Sequence, residues 1–400
     1  MPSEILLHRA SETTDPPAVA PTGPSPGCGR EAKLQFSLLN LSSKRSSILA
    51  ELGAEGSDRP AVLFSASVST CQARETTMAH FKGMRGTVQD STNFNDKEDA
   101  EHLRKAMKGL GTDEDAIVKL LISRSNKQRQ LIALTFKTLF GRDLIDDLKS
   151  ELSGKFEALL LALMVPAHLY DASELRNAIK GLGTCEHVLI EIMASRTPAQ
   201  VQHIKETYKK EYDSDLEQDI VGDTSGNFER LLVSLVQANR DPEGRVDAGQ
   251  VEKDAKALFD AGEKKWGTDE ETFISILATR SVSHLRKVFD HYMTISGYQI
   301  EESIQSETGG NFEKLLLAVV KSVRSIQGYL AEVLYNAMKG AGTDDQTLIR
   351  VMVSRSEIDL FDIRQEFRKN FGKSLHAMIQ SDTSGDYRNA LLHLCGGLDD

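Results

Sequence analysis

Cysteine, proline and long apolar runs are scarce in this sequence, and each shortage excludes a class of protein. The four cysteines, at positions 28, 71, 185 and 395, have neither the close pairing of a zinc site nor the density of a disulfide framework, which favours a reducing compartment. No run of about 18 apolar residues is present, so no transmembrane helix is expected. The apolar stretch at the N-terminus is too short for a signal peptide. We therefore expect a soluble, cytoplasmic protein.

Positive charge is also in short supply. The 48 Lys and Arg residues face 59 Asp and Glu residues, and the formal net charge is −11 at pH 7. Nucleic-acid binding calls for basic stripes, and simple adsorption to anionic lipid calls for basic clusters, so we expect neither. Any partnership with phosphate would need a cation in between.

Motifs of catalysis are missing as well. The sequence contains no His-Glu-x-x-His, no Gly-x-Ser-x-Gly, no Walker loop and no EF-hand loop. The ten histidines are scattered along the chain. No motif supports an enzyme, and we expect no catalytic activity.

The first 84 residues differ in composition from the rest. They hold seven of the ten prolines and equal numbers of basic and acidic residues, so the whole acidic excess belongs to the remaining chain. Ser, Pro, Gly and Thr are frequent there and no helical or strand period is sustained, which predicts a disordered N-terminal extension. This extension is either a partner-binding tail or a tail without a fold of its own.

A loop motif recurs four times in residues 85–400. Gly-x-Gly-Thr stands at 109–112, 181–184 and 340–343, and a further copy at 265–268, Lys-Trp-Gly-Thr, keeps only the last glycine. An acid follows each Thr at the same distance of 39 positions, and these acids are Glu151, Asp223, Glu307 and Asp382. Apolar residues at helical spacing follow both the loops and the acids. The pattern predicts an all-α chain of four repeats of about 70 residues each.

Each repeat also carries an arginine 12 positions after the loop Thr; these are Arg124, Arg196, Arg280 and Arg355. A Ser or Thr follows each arginine and is expected to cap the next helix. The step between the second and third loops is longer than the others, and residues 239–249, with one proline and two glycines, account for it as a linker. The body is therefore expected to split into two halves.

The loop and its distant acid fit a calcium site built from oxygen ligands. Calcium takes about six to eight oxygens, and glycine permits the positive φ angles that turn backbone carbonyls outward. Three carbonyls and one bidentate carboxylate leave the shell incomplete, so that water or a lipid phosphate can finish it. The alternative is that the glycine ends one helix and the Thr caps the next. In both interpretations the distant acid is expected to open a helix; the fixed spacing in four copies favours the metal.

These motifs resemble those of the annexin family over residues 85–400. The likeness is carried by the loop Met-Lys-Gly-x-Gly-Thr, by the acid 39 residues later, and by segments such as 137–144 and 353–361. The resemblance implies four repeats of five helices each, arranged as a curved disc with calcium on its convex face. The repeats would span 85–164, 165–238, 251–323 and 324–400, with a linker at 239–250.

The resemblance also implies ligands for each calcium ion. They are Met107, Gly109, Gly111 and Glu151 in the first repeat; Ile179, Gly181, Gly183 and Asp223 in the second; Gly262, Lys265, Gly267 and Glu307 in the third; and Met338, Gly340, Gly342 and Asp382 in the fourth. The only tryptophan, Trp266, stands in the third loop, where it either packs on its own repeat or enters a membrane interface. Asp171, Glu191, Arg196 and Arg350 match polar residues on the family's central axis, which serve either ion conduction or a buried salt-bridge network.

The function implied by the resemblance is calcium-dependent binding to anionic, phosphatidylserine-rich membranes. Such a protein is a monomer in solution and a homotrimer on the membrane, and by covering the lipid it hinders blood coagulation and phospholipase access. It is cytoplasmic and peripheral on membranes in calcium, and an extracellular role without a signal peptide is compatible with the family. The competing hypothesis is a purely structural α-repeat scaffold whose loops are only helix caps.

Overall fold

The computed structural model describes residues 85–109, 111–181, 183–262 and 269–397. All of them belong to one compact unit. The predicted disorder of residues 1–84 lies outside the described residues. Within the described residues, no helix combines the length and the apolar character that a membrane span requires.

The described residues form twenty α-helices and no β-strand, in four groups of five. The first repeat contains Asp96–Ala106 (α1), Glu114–Ile122 (α2), Asn126–Phe140 (α3), Leu144–Glu151 (α4) and Gly154–Met164 (α5). The second contains Ala167–Ile179 (α6), Glu186–Ser195 (α7), Pro198–Tyr212 (α8), Leu216–Asp223 (α9) and Gly226–Val236 (α10). The third contains Ala248–Gly262 (α11), Glu270–Thr279 (α12), Val282–Ser296 (α13), Ile300–Glu307 (α14) and Gly310–Arg324 (α15). The fourth contains Ile326–Met338 (α16), Asp345–Arg355 (α17), Leu360–Phe371 (α18), Leu375–Asp382 (α19) and Gly385–Cys395 (α20). The predicted all-α architecture of four five-helix repeats is confirmed.

Local sequence signals set where many of these helices begin. Asp113, Asp269 and Asp344 follow the loop threonines and cap α2, α12 and α17, each accepting a backbone N–H from the first turn. Ser125 and Thr197 open α3 and α8 with capping boxes that also use the glutamine three residues on. Such caps stabilise a helix by about 1 kcal/mol each. The cap after the loop is therefore not the loop Thr, as the capping alternative expected, but the aspartate that follows it in three repeats.

The Ser or Thr after the repeat arginine was expected to cap the third helix of every repeat. This prediction is confirmed in the first three repeats, where Ser125, Thr197 and Ser281 are the caps. It is wrong in the fourth. Ser356 ends α17 instead, and α18 begins only at Leu360, after Asp359. The turn between Ser356 and Leu360 makes contacts with another segment of the chain instead.

Those contacts come from residues 85–88, which cross the fourth repeat as a strap. The backbone N–H groups of Thr87 and Val88 donate to the carbonyl of Ser356 at 2.7 and 3.0 Å. Arg85 binds Asp362 through its guanidinium and through its backbone N–H. There is no room for a side chain between them, since a Cβ added to Gly86 would lie 2.6 Å from backbone atoms of the turn. The turn must therefore stay unwound for the strap to lie there.

The second and third repeats share one hydrophobic core. A single cluster of buried side chains extends from Ala172 in α6 to Val323 in α15. Leu189 and Phe273, which follow the loops at helical spacing, and Leu316, which follows the acid of the third repeat, are completely buried within it. Helix α7 packs on α15 and α10 on α12, while α2 packs on α20 and α5 on α17. The two halves of the body are therefore repeat 2 with repeat 3 and repeat 1 with repeat 4, and the linker joins partners rather than separating halves.

The linker itself is fastened to the third repeat. Arg240 donates to the carbonyls of Leu277 at 2.9 Å and Arg280 at 2.5 Å, at the end of α12. Its burial lowers the pKa of the guanidinium to about 10. The carboxylate of Glu243 accepts the N–H of Val282 at the start of α13. Helix α11 begins at Ala248, so the last three residues of the expected linker, 248–250, are helical.

Candidate metal sites

The glycine loops adopt the backbone geometry that only glycine takes without strain. In the first, second and fourth repeats both loop glycines have positive φ: Gly109 130°, Gly111 94°, Gly181 157°, Gly183 93°, Gly340 111° and Gly342 97°. An added Cβ would meet nothing within 4 Å at any of them, so the loops are open to solvent rather than packed. The glycines serve the turn of the chain, as the sequence predicted.

The same backbone hydrogen bond closes the loops of the first, second and fourth repeats. The N–H of Asp113 donates to the carbonyl of Ala106 at 2.9 Å, and the same bond recurs from Cys185 to Ala178 and from Asp344 to Ala337. The predicted ligand positions Met107, Ile179 and Met338 lie at the ends of the first helices, where backbone carbonyls have no further helical partner. Their side chains are buried, which leaves the main chain as the part that can face a metal.

The distant acids return to the loops. The Thr112 hydroxyl donates to Glu151 Oε2 at 2.6 Å, Thr184 to Asp223 Oδ2 at 2.5 Å, and Thr343 to Asp382 Oδ2 at 2.5 Å. The 39-residue spacing is thus a spatial contact, made in the same way in three repeats. The hydroxyl that the capping alternative assigned to a helix end instead orients the carboxylate at the rim of the loop.

The acids end helices rather than open them, contrary to the sequence prediction. Glu151, Asp223, Glu307 and Asp382 are the last residues of α4, α9, α14 and α19. A helix C-terminus carries unpaired carbonyls and partial negative charge, so a carboxylate there is electrostatically unfavourable unless a cation or a donor compensates it. Two helix ends and one carboxylate therefore converge on the loops of the first, second and fourth repeats. This donor set, all oxygen, fits a hard divalent cation such as calcium.

The third loop departs from the others. Its residues 263–268, which include Lys265, Trp266 and Gly267, lie outside the described residues, so their predicted roles stay predictions. The residues that flank this segment are joined by a bond from the N–H of Asp269 to the carbonyl of Ala261 at 3.0 Å. These two residues are one position farther apart in the sequence than the corresponding residues of the other loops. A Cβ on Gly262 would lie 3.9 Å from Cγ of Glu307. The acid thus lies beside the last residue of α11.

The described residues contain no group of three or more His, Cys, Asp or Glu side chains that could hold a metal. The loops offer only one carboxylate each, so backbone carbonyls would have to supply the remaining protein ligands.

Polar pairs join the loops of partner repeats, a feature that sequence reasoning missed. Lys155 in α5 pairs with Asp345, the first residue of α17, at 2.6 Å. Asn311 in α15 donates to Glu186, the first residue of α7, at 3.0 Å. The helix after each acid thus contacts the helix after the partner's loop. Two further pairs, Asn389 with Asp115 and Arg230 with Glu271, close the same junctions from the other side.

The junction between the first and fourth repeats holds a cleft of about 430 Å³. Glu151 and Asp382 both line it, together with Lys155 and Tyr387. The two predicted ligand carboxylates therefore border one cleft. The polar pairs at these junctions could be recognised in the sequence only once the structure was known. Their members then prove to lie at equal distances from the threonines of their own loops.

The predicted axial residues form a buried ion-pair network between the second and fourth repeats. Arg350 donates to Glu191 Oε2 at 2.6 and 3.0 Å, and Arg196 binds Asp171 at 2.7 and 2.8 Å. Burial opposes the charge on Asp171, but the Arg196 guanidinium lowers the pKa of that carboxyl overall. Glu174, which sequence reasoning missed, lies 3.6 Å from Arg350, and its burial raises the pKa of its carboxyl. These charges link α6, α7 and α17.

Comparison with known proteins agrees with this architecture. The annexin family model matches residues 98–163, 170–235, 253–319 and 329–394, one match in each repeat. Annexin A5 of Cynops pyrrhogaster is 86% identical over 323 residues, which cover 81% of this chain and all of that protein. Annexin A5 of Homo sapiens is 70% identical over 313 residues, 78% of this chain and 98% of that protein.

Solved structures show the same likeness. Chicken annexin V superposes with a TM-score of 0.76 at 69% identity and covers 78% of this chain and 99% of its own. Calcium-bound annexin (Sm)1 superposes with a TM-score of 0.69 at 35% identity and covers 79% of this chain and 94% of its own. Each of the four family matches falls within one five-helix repeat of the structure. The chain therefore belongs to the annexin family.

Proposed function

We propose that this annexin binds calcium through its four loops and thereby attaches to anionic, phosphatidylserine-rich membranes. Calcium-dependent phospholipid binding is the general activity expected of an annexin. The ligands would be the carbonyls of residues 107, 109 and 111 with Glu151, and their counterparts at 179, 181, 183 and Asp223, at 262, 265, 267 and Glu307, and at 338, 340, 342 and Asp382. Calcium would neutralise the carboxylates and present unfilled coordination positions to lipid phosphate.

The observation that carries this proposal is the bond from each described loop Thr to the acid 39 residues later. It holds a single carboxylate beside a loop whose glycines are exposed. A pure helix cap has no need of that contact, because the aspartate after the loop already caps the helix in repeats 1 and 4. The shell is short of protein ligands, which favours a bridging phosphate over tight binding of free calcium.

The remaining parts of the proposal follow from the family. The protein would act without catalysis, as a monomer in solution and a homotrimer on the membrane, cytoplasmic and peripheral in calcium. Coverage of the lipid would hinder coagulation and phospholipase access. Trp266, in the third loop, would enter the lipid interface, where tryptophan is favoured. The buried charges around Arg350 support a structural role for the axis, because each is held by a partner on another helix.

The test is sedimentation with phosphatidylserine vesicles, in calcium and in chelator. A triple variant, Glu151→Gln, Glu307→Gln and Asp382→Asn, removes three ligand carboxylates without changing side-chain size much. We expect it to lose calcium-dependent sedimentation while its helical circular dichroism is retained. Binding of the parent protein to vesicles that is unchanged by chelator would overturn the proposal.

A charge-matched control separates ligation from general electrostatics. Asp146→Asn, Glu302→Gln and Asp290→Asn remove the same number of charges from exposed positions, two of them on α4 and α14, the helices that carry Glu151 and Glu307. This control is expected to sediment like the parent protein. If instead the ligand variant lost its helicity, the acids would be structural and the scaffold hypothesis would be favoured.

A further inference from the structure

Two histidines far from the loops face each other across neighbouring helices of the second repeat. His168 lies in the first turn of α6 and His203 lies in α8, and these helices pack together. The ring centroids are 6.1 Å apart and the ring planes meet at 63°. The pair escaped sequence reasoning because 35 positions separate the two residues.

We propose that His168 and His203 form a binding site for a divalent transition-metal cation such as zinc, with water completing the shell. Imidazole nitrogen suits zinc, copper and nickel, whereas calcium prefers oxygen. The site therefore differs in chemistry from the loops, and it takes a different class of cation.

The geometry of the pair is close to what such a metal requires. Zinc binds imidazole nitrogen at about 2.0–2.1 Å with tetrahedral angles, which sets two ligating ring centroids roughly 5 to 5.5 Å apart. The observed 6.1 Å differs from this by an amount that side-chain rotation covers, because neither ring is locked in a core. Both residues are exposed, so water can fill the remaining positions. The two helices that carry the residues pack against each other, which keeps their backbones side by side.

The protonation of His168 also favours a metal. A ligating imidazole must be neutral. Although His168 is exposed overall, the loss of water from part of its surroundings lowers the pKa of its ring, and a positive charge on His203 lowers it further. Lys210 acts in the same direction, and Glu211 acts against it. At neutral pH the His168 ring is therefore available as a ligand with little competition from protons.

The site lies well away from the calcium loop of its own repeat. His168 is the second residue of α6 and Ile179 is the last, and at 1.5 Å per residue these positions are about 17 Å apart along the helix. Zinc at the histidine pair would thus be bound independently of calcium at the loop.

The decisive experiment is a calorimetric titration of the full chain with zinc chloride in saturating calcium. The parent protein is expected to show a zinc site that weakens by about tenfold or more in His168→Asn and in His203→Asn, because one of two protein ligands is lost in each. His102→Asn is the matched control: it removes an exposed histidine of α1 and is expected to leave the isotherm unchanged. Equal zinc isotherms for the parent and the double variant would overturn the site.

Two further measurements test the site, one for its position and one for its pH dependence. Anomalous diffraction at the zinc edge is expected to place a peak between the two rings, and a peak at the loops alone would contradict the proposal. Zinc binding is expected to weaken as the pH falls, because a proton on His168 competes with the metal for the ring nitrogen. None of these outcomes depends on the proposed membrane function, since they are measured without lipid and with the loops already supplied with calcium.

Discussion

The first three repeats and the fourth use the same arginine in two different ways. In the first three it reaches back to an aspartate on the first helix: Arg124 to Asp99 at 2.5 Å, Arg196 to Asp171 at 2.7 Å and Arg280 to Asp254 at 2.7 Å. The fourth repeat has Leu330 at the equivalent position of α16. Arg355 pairs instead with Asp359, four residues on, at 2.6 Å.

This change of partner shows how one repeat can depart from its siblings without losing its fold. The pair of Arg355 and Asp359 holds an unwound turn, and the carbonyl of Ser356 within that turn receives the strap. Glu357 in the same turn accepts the N–H of Asn126 at 2.6 Å and the guanidinium of Arg129 at 3.1 Å, at the start of α3. The fourth repeat has thus given up a helical turn and gained a junction with the first repeat and with the N-terminal strap.

The largest effect is expected from breaking the fourth-repeat pair. Asp359 is fully buried and Arg355 is 3% exposed, so Asp359→Ala would leave a buried charge without its partner. We expect a loss of about 3–5 kcal/mol in the free energy of unfolding, measured by chemical denaturation. Replacing both members with apolar residues, Arg355→Met with Asp359→Leu, is expected to cost less than the single change. A single change that costs under 1 kcal/mol would show that the turn does not depend on the pair.

A smaller effect is expected from crowding the strap. Gly86→Ala would bring a Cβ to 2.6 Å from the backbone of Ser356 and Glu357, so the strap must shift. We expect a loss of about 1–3 kcal/mol, as for an overpacked core, with faster hydrogen exchange at the amides of Thr87 and Val88. Gly244→Ala is the control, since a Cβ there meets nothing within 4 Å. If hydrogen exchange at these two amides were unchanged in Gly86→Ala, the strap would not be the cause of the late start of α18.

The smallest effect is expected at the pair that joins the first and fourth loops. Lys155 is 60% exposed and Asp345 is 17% exposed, and ion pairs with one exposed partner contribute about 1 kcal/mol or less. Lys155→Met is therefore expected to lower the free energy of unfolding only slightly, and the difference should shrink in high salt because exposed charges are screened. Denaturation at two salt concentrations checks it. A salt-independent loss would mean that the lysine stem, rather than its charge, makes the contact.

Much of the architecture could be read from the sequence because the signals were local and repeated. Apolar residues at helical spacing located the buried faces, and Leu189, Phe273 and Leu391 are all completely buried. The glycines of the loops indicated a turn with positive φ, and the structure has it. The constant spacing of 39 residues predicted that each acid belongs to its loop, and in the structure Glu151 is hydrogen-bonded to the loop residue Thr112.

The failures share one physical cause. The acid was placed at a helix start because acids favour the first turn, yet Glu151 ends α4, where its Thr partner outweighs that preference. Ser356 was expected to cap a helix because of its position after Arg355, yet a strap about 270 positions earlier in the chain takes its carbonyl. In each case a contact with a distant segment overrode a local preference, since the energies of caps and dipoles are only about 1 kcal/mol.

By itself, the sequence determined the helices, the four-fold register, the loop conformation and the residues of the core, because these depend on neighbours within a few turns. Only the tertiary structure decided that repeats pair as 2 with 3 and 1 with 4, that Lys155 reaches Asp345 from 190 positions away, and that His168 meets His203. These contacts depend on which apolar faces pack together. Every repeat presents similar apolar faces, so the pattern of one repeat does not specify its partner.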